Sequence, residues 1–181
     1  LQFSFADYFV YLKKKLLKNK ILKFELIWND KVGDKKKYNE KMYFIEDTFY
    51  HFFSILRVFY NPKIFFYKKT NNLKVNKNKI SFDVLDKKFL LKVKKRHVKK
   101  ERILKLSTLK DQYIINFTKI DNIRIYRNNK IIKKFKKNQE LIKKQISFFI
   151  KGDNKINKNN LTNLKILMSN LKEIRNYLNV K

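Results

Sequence analysis

The sequence predicts an α+β domain with the ferredoxin-like split βαβ arrangement, in which helices pack on one face of a small antiparallel sheet. Two observations predict this fold. The apolar pattern over residues 21–137 gives the order strand, helix, strand, long hairpin, helix, strand, and the hairpin has a basic tip, KRHVKKE (95–101). The chain then divides into a basic helical extension (1–20), the domain (21–137), and a C-terminal extension with an amphipathic helix (138–181).

The first elements follow from their apolar periodicity. Residues 4–18 are expected to form a helix that ends in lysines, and ILKFELIW (21–28) is rich in strand-forming residues. From Met42 onward apolar residues recur at alternating spacings of three and four, which predicts an amphipathic helix over 42–60. Pro62 ends that helix, because proline lacks an N–H and disfavours helical geometry in the preceding residue.

The middle of the chain is expected to supply the hairpin. IFFYKK (64–69) is predicted to be a strand, and the polar stretch TNNLKVNKNK (70–79) a connection. ISFDVLD (80–86) and KFLLKVK (88–94) are expected to be extended, and RILKLST (102–108) to return beside them after the basic tip.

The last third of the chain is expected to complete the domain. Residues 109–117 can continue the returning strand, and Thr118-x-x-Asp121 is a capping-box pattern that predicts a helix over 119–129. NKIIKKF (129–135) is expected to be a short strand. A leucine-rich stripe predicts a second amphipathic helix over 161–178, whose apolar side should dock on a neighbouring protein or on the domain itself.

Composition indicates a folded chain with a negatively charged partner. The 181 residues contain 46 Lys+Arg against 15 Asp+Glu, a formal net charge of +31. A hydrophobic content of 44% and an aromatic content of 15% are too high for a disordered basic tail. A folded domain of this charge gains free energy when its cations neutralise phosphates, so RNA is the expected partner.

The residue bias also indicates where the gene resides. Lys, Asn, Ile, Phe and Tyr, which have A+T-rich codons, are abundant, whereas there are only two Gly and one Pro. Such a bias is typical of a compact organellar genome, and it predicts a mitochondrial protein. The absence of Cys excludes disulfides and cysteine-based metal sites.

The sequence offers little that could catalyse a reaction. The two histidines, His51 and His97, lie in different elements, and the acidic pair Glu46-Asp47 is expected on an exposed helix face. Gly-rich phosphate loops, nucleophile elbows and HExxH motifs are absent. We therefore expect a protein that is not an enzyme, without cofactor, metal or small-molecule substrate. Membrane insertion is not expected either, because the longest uncharged apolar run stops at Arg57.

The predicted hairpin resembles that of the small-subunit ribosomal protein ten family. The family's tip, Ser-Pro-His-Val-x-Lys, is similar to HVKK (97–100), although Arg96 stands in place of the proline, and its return strand is similar to KLSTLKD (105–111). The resemblance implies a ferredoxin-like domain whose hairpin threads between helices of ribosomal RNA.

On this resemblance the protein is expected to be a structural constituent of the head of the mitochondrial small ribosomal subunit, bound to ribosomes in the matrix. Its partners would be ribosomal RNA and neighbouring small-subunit ribosomal proteins. Arginines at the tip could grip phosphates bidentately. The expected RNA contacts are Lys94, Lys95, Arg96, His97, Lys99, Lys100, Arg102 and Lys110.

Three other readings remain open at this point. The chain could belong to another mitochondrial ribosomal protein family of either subunit. It could be an accessory subunit of an inner-membrane complex, with the aromatic helix 42–60 as its docking face. It could also be part of an intron-encoded nuclease or maturase, which would need clustered acidic metal ligands that the sequence does not clearly offer.

Overall fold

The computed structural model describes residues 6–31, 44–60, 70–84, 86–119 and 121–136, with part of a C-terminal helix (165, 167–169, 171, 172, 174–176 and 178). Its elements in chain order are α1 (Asp7–Lys15), β1 (Lys23–Lys31), α2 (Phe44–Phe59), β2 (Thr70–Asn76), β3 (Lys79–Val84), β4 (Lys87–His97), β5 (Glu101–Ser107), β6 (Gln112–Asn116), β7 (Asn122–Arg127) and β8 (Lys130–Lys136). The described strands form one eight-stranded sheet in the order β2-β3-β4-β1-β5-β6-β7-β8.

Strand β1 lies in the middle of the sheet, between β4 and β5. It pairs with β4 in parallel and with β5 antiparallel, and the other neighbouring strands are antiparallel. Only Lys23 and Lys31, at its ends, are exposed. Burial of both faces is expected of a central strand, so β1 anchors the two halves of the sheet.

The fold corrects the expected hairpin. Strands β4 and β5 do not pair with each other, because β1 lies between them. The tip residues 98–100, which we call the crossing segment, pass over the end of β1 from one side to the other. The strands on either side of β1 are about 10 Å apart, a distance that three extended residues can span. A short basic segment between two strands is therefore as compatible with a crossing over a third strand as with a hairpin turn.

The predicted ferredoxin-like fold is wrong in two respects. Besides the missing hairpin, the helix expected over 119–129 is absent from the described residues of that segment. Strand β7 occupies 122–127, with Ile123 and Ile125 buried, Asn122 and Arg124 exposed, and Tyr126 half-buried. Asn128 and Asn129 have φ values of 47° and 66°, as a type I′ hairpin turn into β8 requires. The strand period of two and this turn outweigh the capping-box pattern, so the architecture is a large mixed sheet and not a small split βαβ domain.

Two further segments differ from the expectation. The polar stretch 70–79, expected to be a connection, forms β2, and residues 77 and 78 turn it into β3. Residues 109–117 do not continue β5, because the chain turns at Leu109 and Lys110 and returns as β6. The strand expected at 64–69 lies outside the described residues.

One face of the sheet, the core face, packs against the helices. The predicted helices are confirmed as α1 and α2, and β1, β3, β4, β5 and β8 fall close to the strands expected from the sequence. Alternate strand residues such as Phe24, Phe82 and Phe89 join residues of α1 and α2 in a single apolar cluster. The ring centroids of Phe24 and Phe52, from β1 and α2, lie 5.6 Å apart in an edge-to-face arrangement. The helix expected as an N-terminal extension thus contributes to the core.

The described part of the C-terminal helix packs on the same core. Leu167, Ile174 and Leu178 are buried in the apolar cluster. The Arg175 Nε donates a hydrogen bond of 2.9 Å to the Glu46 Oε1 of α2, whose carboxylate is buried. The described residues of its apolar stripe therefore dock on the domain itself.

Candidate nucleic-acid interface

The face of the sheet opposite the core, which we call the outer face, presents a mixture of basic and apolar side chains. Because paired residues share a face, the strand register places them in rows across the sheet. One row contains Lys92, Ile27, Ile103, Asn116, Arg124 and Lys134, and the next contains Leu90, Glu25, Lys105, Ile114 and Tyr126. This face combines cations with apolar and aromatic surface.

A pocket of about 370 Å³ opens at one end of the outer face, beside the crossing segment. We call it the basic pocket. Four of its lining residues are cations and one is acidic, and they come from the crossing segment, β5, β6, β7 and the turn before β7. The lining residues are Lys99, Lys100, Glu101, Ile103, Asn116, Thr118, Lys119, Asn122, Arg124 and Tyr126.

Hydrogen bonds hold the walls of the pocket together. The N–H of Arg102 donates to the Thr118 hydroxyl at 2.9 Å, and the N–H of Phe117 donates to the Arg102 carbonyl at 3.0 Å. The Thr118 N–H donates to the Asn116 side-chain oxygen at 3.1 Å. These bonds fix the turn before β7 against the start of β5, so the pocket is preorganised on sheet backbone.

The single acid of the pocket is already neutralised. Glu101 accepts a hydrogen bond of 2.7 Å from the Asn29 amide, and its other oxygen lies 3.4 Å from the Lys99 ammonium. Burial by itself would raise the pKa of Glu101, but the bonds from Asn29 and Lys99 outweigh it and the pKa is lowered. Glu101 therefore carries a compensated charge and does little to cancel the other cations.

The remaining cations of the pocket have no acidic partner within the described part of the chain. Lys100 and Lys119 are exposed, and the Arg124 Nε donates to the Asn122 side-chain oxygen at 3.2 Å without an ion pair. Three positive charges thus converge on one concave site. Such a site attracts an anion with several negatively charged oxygens.

Two of the eight residues expected to contact RNA line the basic pocket, and four others lie at the end of β4 that leads into the crossing segment. Lys99 and Lys100 line the pocket, and the exposed Lys94 and Lys95 lie on the last part of β4. His97 precedes the crossing segment, where its Nδ1 is 3.1 Å from the Lys99 carbonyl oxygen and shapes the turn. The backbone of Arg96 belongs to β4, and its side chain lies outside the described residues.

Arg102 has a different place, because its side chain points into the core face. It is 4% exposed, forms a buried ion pair with Asp30, and donates to the Asn29 carbonyl at 2.5 Å. Its guanidinium also lies 4.0 Å from the centroid of the Trp28 ring. In this fold Arg102 fastens the start of β5 to the end of β1, and it is not available to a ligand on the surface.

Lys110 is separated from the other predicted contacts. It lies in the turn between β5 and β6, at the opposite end of β5 from the crossing segment. The length of β5 places these two ends roughly 20 Å apart. Lys110 is exposed, but the structure does not bring it together with the basic pocket.

Of the residues that line the pocket, the expected contacts include Lys99 and Lys100 and leave out, among others, Lys119, Arg124 and Tyr126. The helix expected over 119–129 would place Arg124 on a different side from Lys119 and Tyr126, because residues seven apart share one side of a helix. The alternation of buried Ile123 and Ile125 with polar neighbours, followed by two asparagines, was the signal that could have identified them.

Comparison with known proteins adds little to this description. No protein-family model matches the chain, and no curated protein matches its sequence. Among solved structures the fold has a partial likeness to a dehydrogenase (MviM) from Clostridium difficile, with a TM-score of 0.43 and 7% sequence identity. The match covers 73% of this chain and 44% of that one, so this chain spans less than half of the dehydrogenase. A likeness of this extent carries no conclusion about activity.

The groups that line the pocket are typical of a site that binds anions. Among the described residues no group of three or more His, Asp or Glu side chains is placed to hold a metal ion, and no described helix is long and apolar enough to cross a membrane. The pocket supplies cations, amide and hydroxyl groups, and one aromatic ring. These groups suit the phosphates and bases of a nucleic acid.

Proposed function

We propose that this chain is a structural, RNA-binding component of a mitochondrial ribosome, and that the basic pocket with its crossing segment is its main RNA contact. The observation that carries the proposal is the convergence of Lys100, Lys119 and Arg124 on a site whose one acid is already paired. Each lysine or arginine that neutralises a phosphate releases condensed counterions, which is a large source of affinity for RNA.

The overall charge supports the same conclusion. A net charge of +31 on 181 residues opposes folding through self-repulsion unless a polyanion lies beside it. A ribosome supplies such a polyanion continuously, and structural binding needs no catalytic groups. The A+T-driven composition favours an organellar gene, and therefore a mitochondrial ribosome in the matrix.

The proposal applies to either subunit of the ribosome. The expectation of a small-subunit protein, with small-subunit neighbours, rested on a paired hairpin, and in this fold β1 separates the two strands of that hairpin. The contact itself does not depend on the hairpin, because the crossing segment still presents Lys99 and Lys100.

Sedimentation of mitochondrial lysates, combined with ultraviolet crosslinking, tests the proposal. We expect the chain to sediment with ribosomal particles in high-salt gradients and to yield ribosomal RNA crosslinked to peptides from 97–101 and 118–127. Recovery of the chain in a membrane-bound respiratory complex without crosslinked RNA would overturn the proposal. A magnesium-dependent RNA cleavage activity of the purified chain would also overturn it.

A further inference from the structure

We infer that the basic pocket receives one unpaired RNA nucleotide, with its base stacked on Tyr126 and its phosphates at Lys100, Lys119 and Arg124. The inference rests on the proposed function and adds the form of RNA that is bound. A double-stranded backbone can be held by exposed lysines on a convex surface and needs no concavity. The pocket is concave, and its volume of about 370 Å³ is within the roughly 300–1,000 Å³ typical of small-ligand sites.

Tyr126 is placed to serve as a stacking surface. It lies on β7 in the outer face, between Ile114 and Ile131 in the strand register, and it is half-buried. Aromatic rings of the core face, such as Phe82 and Phe89 with centroids 5.0 Å apart, pack on one another. No described aromatic ring packs on Tyr126, and its side chain lines the pocket. Stacking on aromatic rings is a common way to bind unpaired bases.

The polar side chains around Tyr126 can form hydrogen bonds with the edge of such a base. The side-chain oxygens of Asn116 and Asn122 already accept bonds from the Thr118 N–H and the Arg124 Nε. Their amide NH₂ groups remain available as donors. The Thr118 oxygen accepts from Arg102, which leaves its O–H as a third donor. The pocket therefore suits a base edge that presents carbonyl oxygens, as uracil does.

Binding of a fluorescent ten-nucleotide oligouridylate and of a matched RNA duplex to the full chain tests the inference. We expect the parent to bind the single strand more tightly than the duplex. Tyr126→Leu should weaken binding of the single strand by about 5- to 150-fold, the effect of losing one stacked base, and leave duplex binding unchanged. Tyr126→Phe keeps the ring and should bind like the parent.

Two controls keep the result interpretable. Tyr50→Leu removes an exposed tyrosine of α2 on the core side of the sheet and should not alter binding of either RNA. Crosslinking of the parent to an oligonucleotide that contains 4-thiouridine should label a peptide that includes Tyr126, and this measurement does not depend on the folding of a variant.

The outcomes separate the inference from the proposed function. If the parent binds both RNAs and Tyr126→Leu weakens neither, or weakens both equally, the inference is overturned and RNA binding stands. If crosslinks arise only outside the pocket, the inference is likewise overturned. If the parent binds neither the oligonucleotide nor ribosomal RNA, the proposed function fails as well.

Discussion

The crossing segment and the start of strand β5 use positive charge in opposite ways. Arg102 points into the core face, where Asp30, the Asn29 carbonyl and the Trp28 ring surround its guanidinium. Lys100, two residues earlier, lies in the basic pocket without an acidic partner among the described residues. The number of cations in and beside the crossing segment therefore does not show how many of them can bind RNA. A buried, paired cation supports the fold, and an exposed, unpaired one is available to a ligand.

Breaking the buried pair should have the largest effect on stability. Asp30→Asn leaves the Arg102 guanidinium buried without its counter-charge, and we expect a loss of about 3–5 kcal/mol in the free energy of unfolding. Urea denaturation of the parent and the variant measures this loss. The double variant Asp30→Leu with Arg102→Met should recover much of this loss, since a hydrophobic pair of similar volume is often neutral. A loss below about 1 kcal/mol for Asp30→Asn would show that the pair does not hold the crossing in place.

Two adjacent residues of β5 sharpen the comparison. Leu104 is fully buried in the core, and its neighbour Ile103 is half-buried in the outer face. Leu104→Ala should cost about 2–5 kcal/mol in the free energy of unfolding, because it leaves a cavity. Ile103→Ala should cost about 1 kcal/mol, since only part of its apolar surface is removed from water. Equal losses in urea denaturation would contradict the assignment of the two faces.

The sequence predicted individual elements better than their pairing. Helices α1 and α2 and several strands followed from local apolar periodicity, which is set by which side of each element faces the core. The position of β1 between β4 and β5 could not be read in this way. It depends on which strands meet across the whole domain, and the same alternating pattern in 88–94 and 102–108 fits a hairpin or a sheet with a third strand inserted.

The candidate site was predicted in part for the same reason. Lys99 and Lys100 were identified because they are adjacent in a short basic run. Lys119, Arg124 and Tyr126 reach them only through the pairing of β5, β6 and β7, and an incorrect helix over 119–129 concealed that pairing. Arg102 was expected at the surface because a run of basic residues does not indicate which of them has a buried acidic partner far away in sequence.

A smaller effect should arise on acidification, because the outer face also contains a structural ion pair. Glu25 lies 2.8 Å from the Lys92 ammonium and 3.4 Å from that of Lys23. Burial alone would raise the pKa of Glu25, but these lysines outweigh it and lower the pKa. The folded pKa is below the unfolded value of about 4.3, so the stabilisation is present above that pH and is lost as the pH falls through the folded pKa.

We therefore expect the free energy of unfolding of the parent to fall more steeply below about pH 4.3 than that of Glu25→Gln. Urea denaturation at a series of pH values measures both slopes. Lys134→Gln, on the same face but on β8, four strands away from β1, is the matched control and should follow the parent. Parallel curves for the parent and Glu25→Gln would show that the lysines do not hold Glu25 ionised.

The salt dependence of RNA binding tests most directly the claim that the unpaired cations of the basic pocket, and not the total charge, bind RNA. The pocket variant replaces Lys99, Lys100, Lys119 and Arg124 by Ser. The control variant replaces four exposed lysines outside the pocket by Ser, and so loses the same charge: Lys14 on α1, Lys18 in the turn after it, Lys77 in the turn between β2 and β3, and Lys130 at the start of β8.

The slope of log K against log salt concentration for ribosomal RNA should decrease in magnitude by about 2 to 3 in the pocket variant, because three unpaired cations are lost at roughly 0.7 to 0.9 per phosphate contact. The control variant should keep the slope of the parent. Equal slopes for the pocket and control variants would contradict the account, because they would show that RNA responds to the net charge of the chain and not to this site.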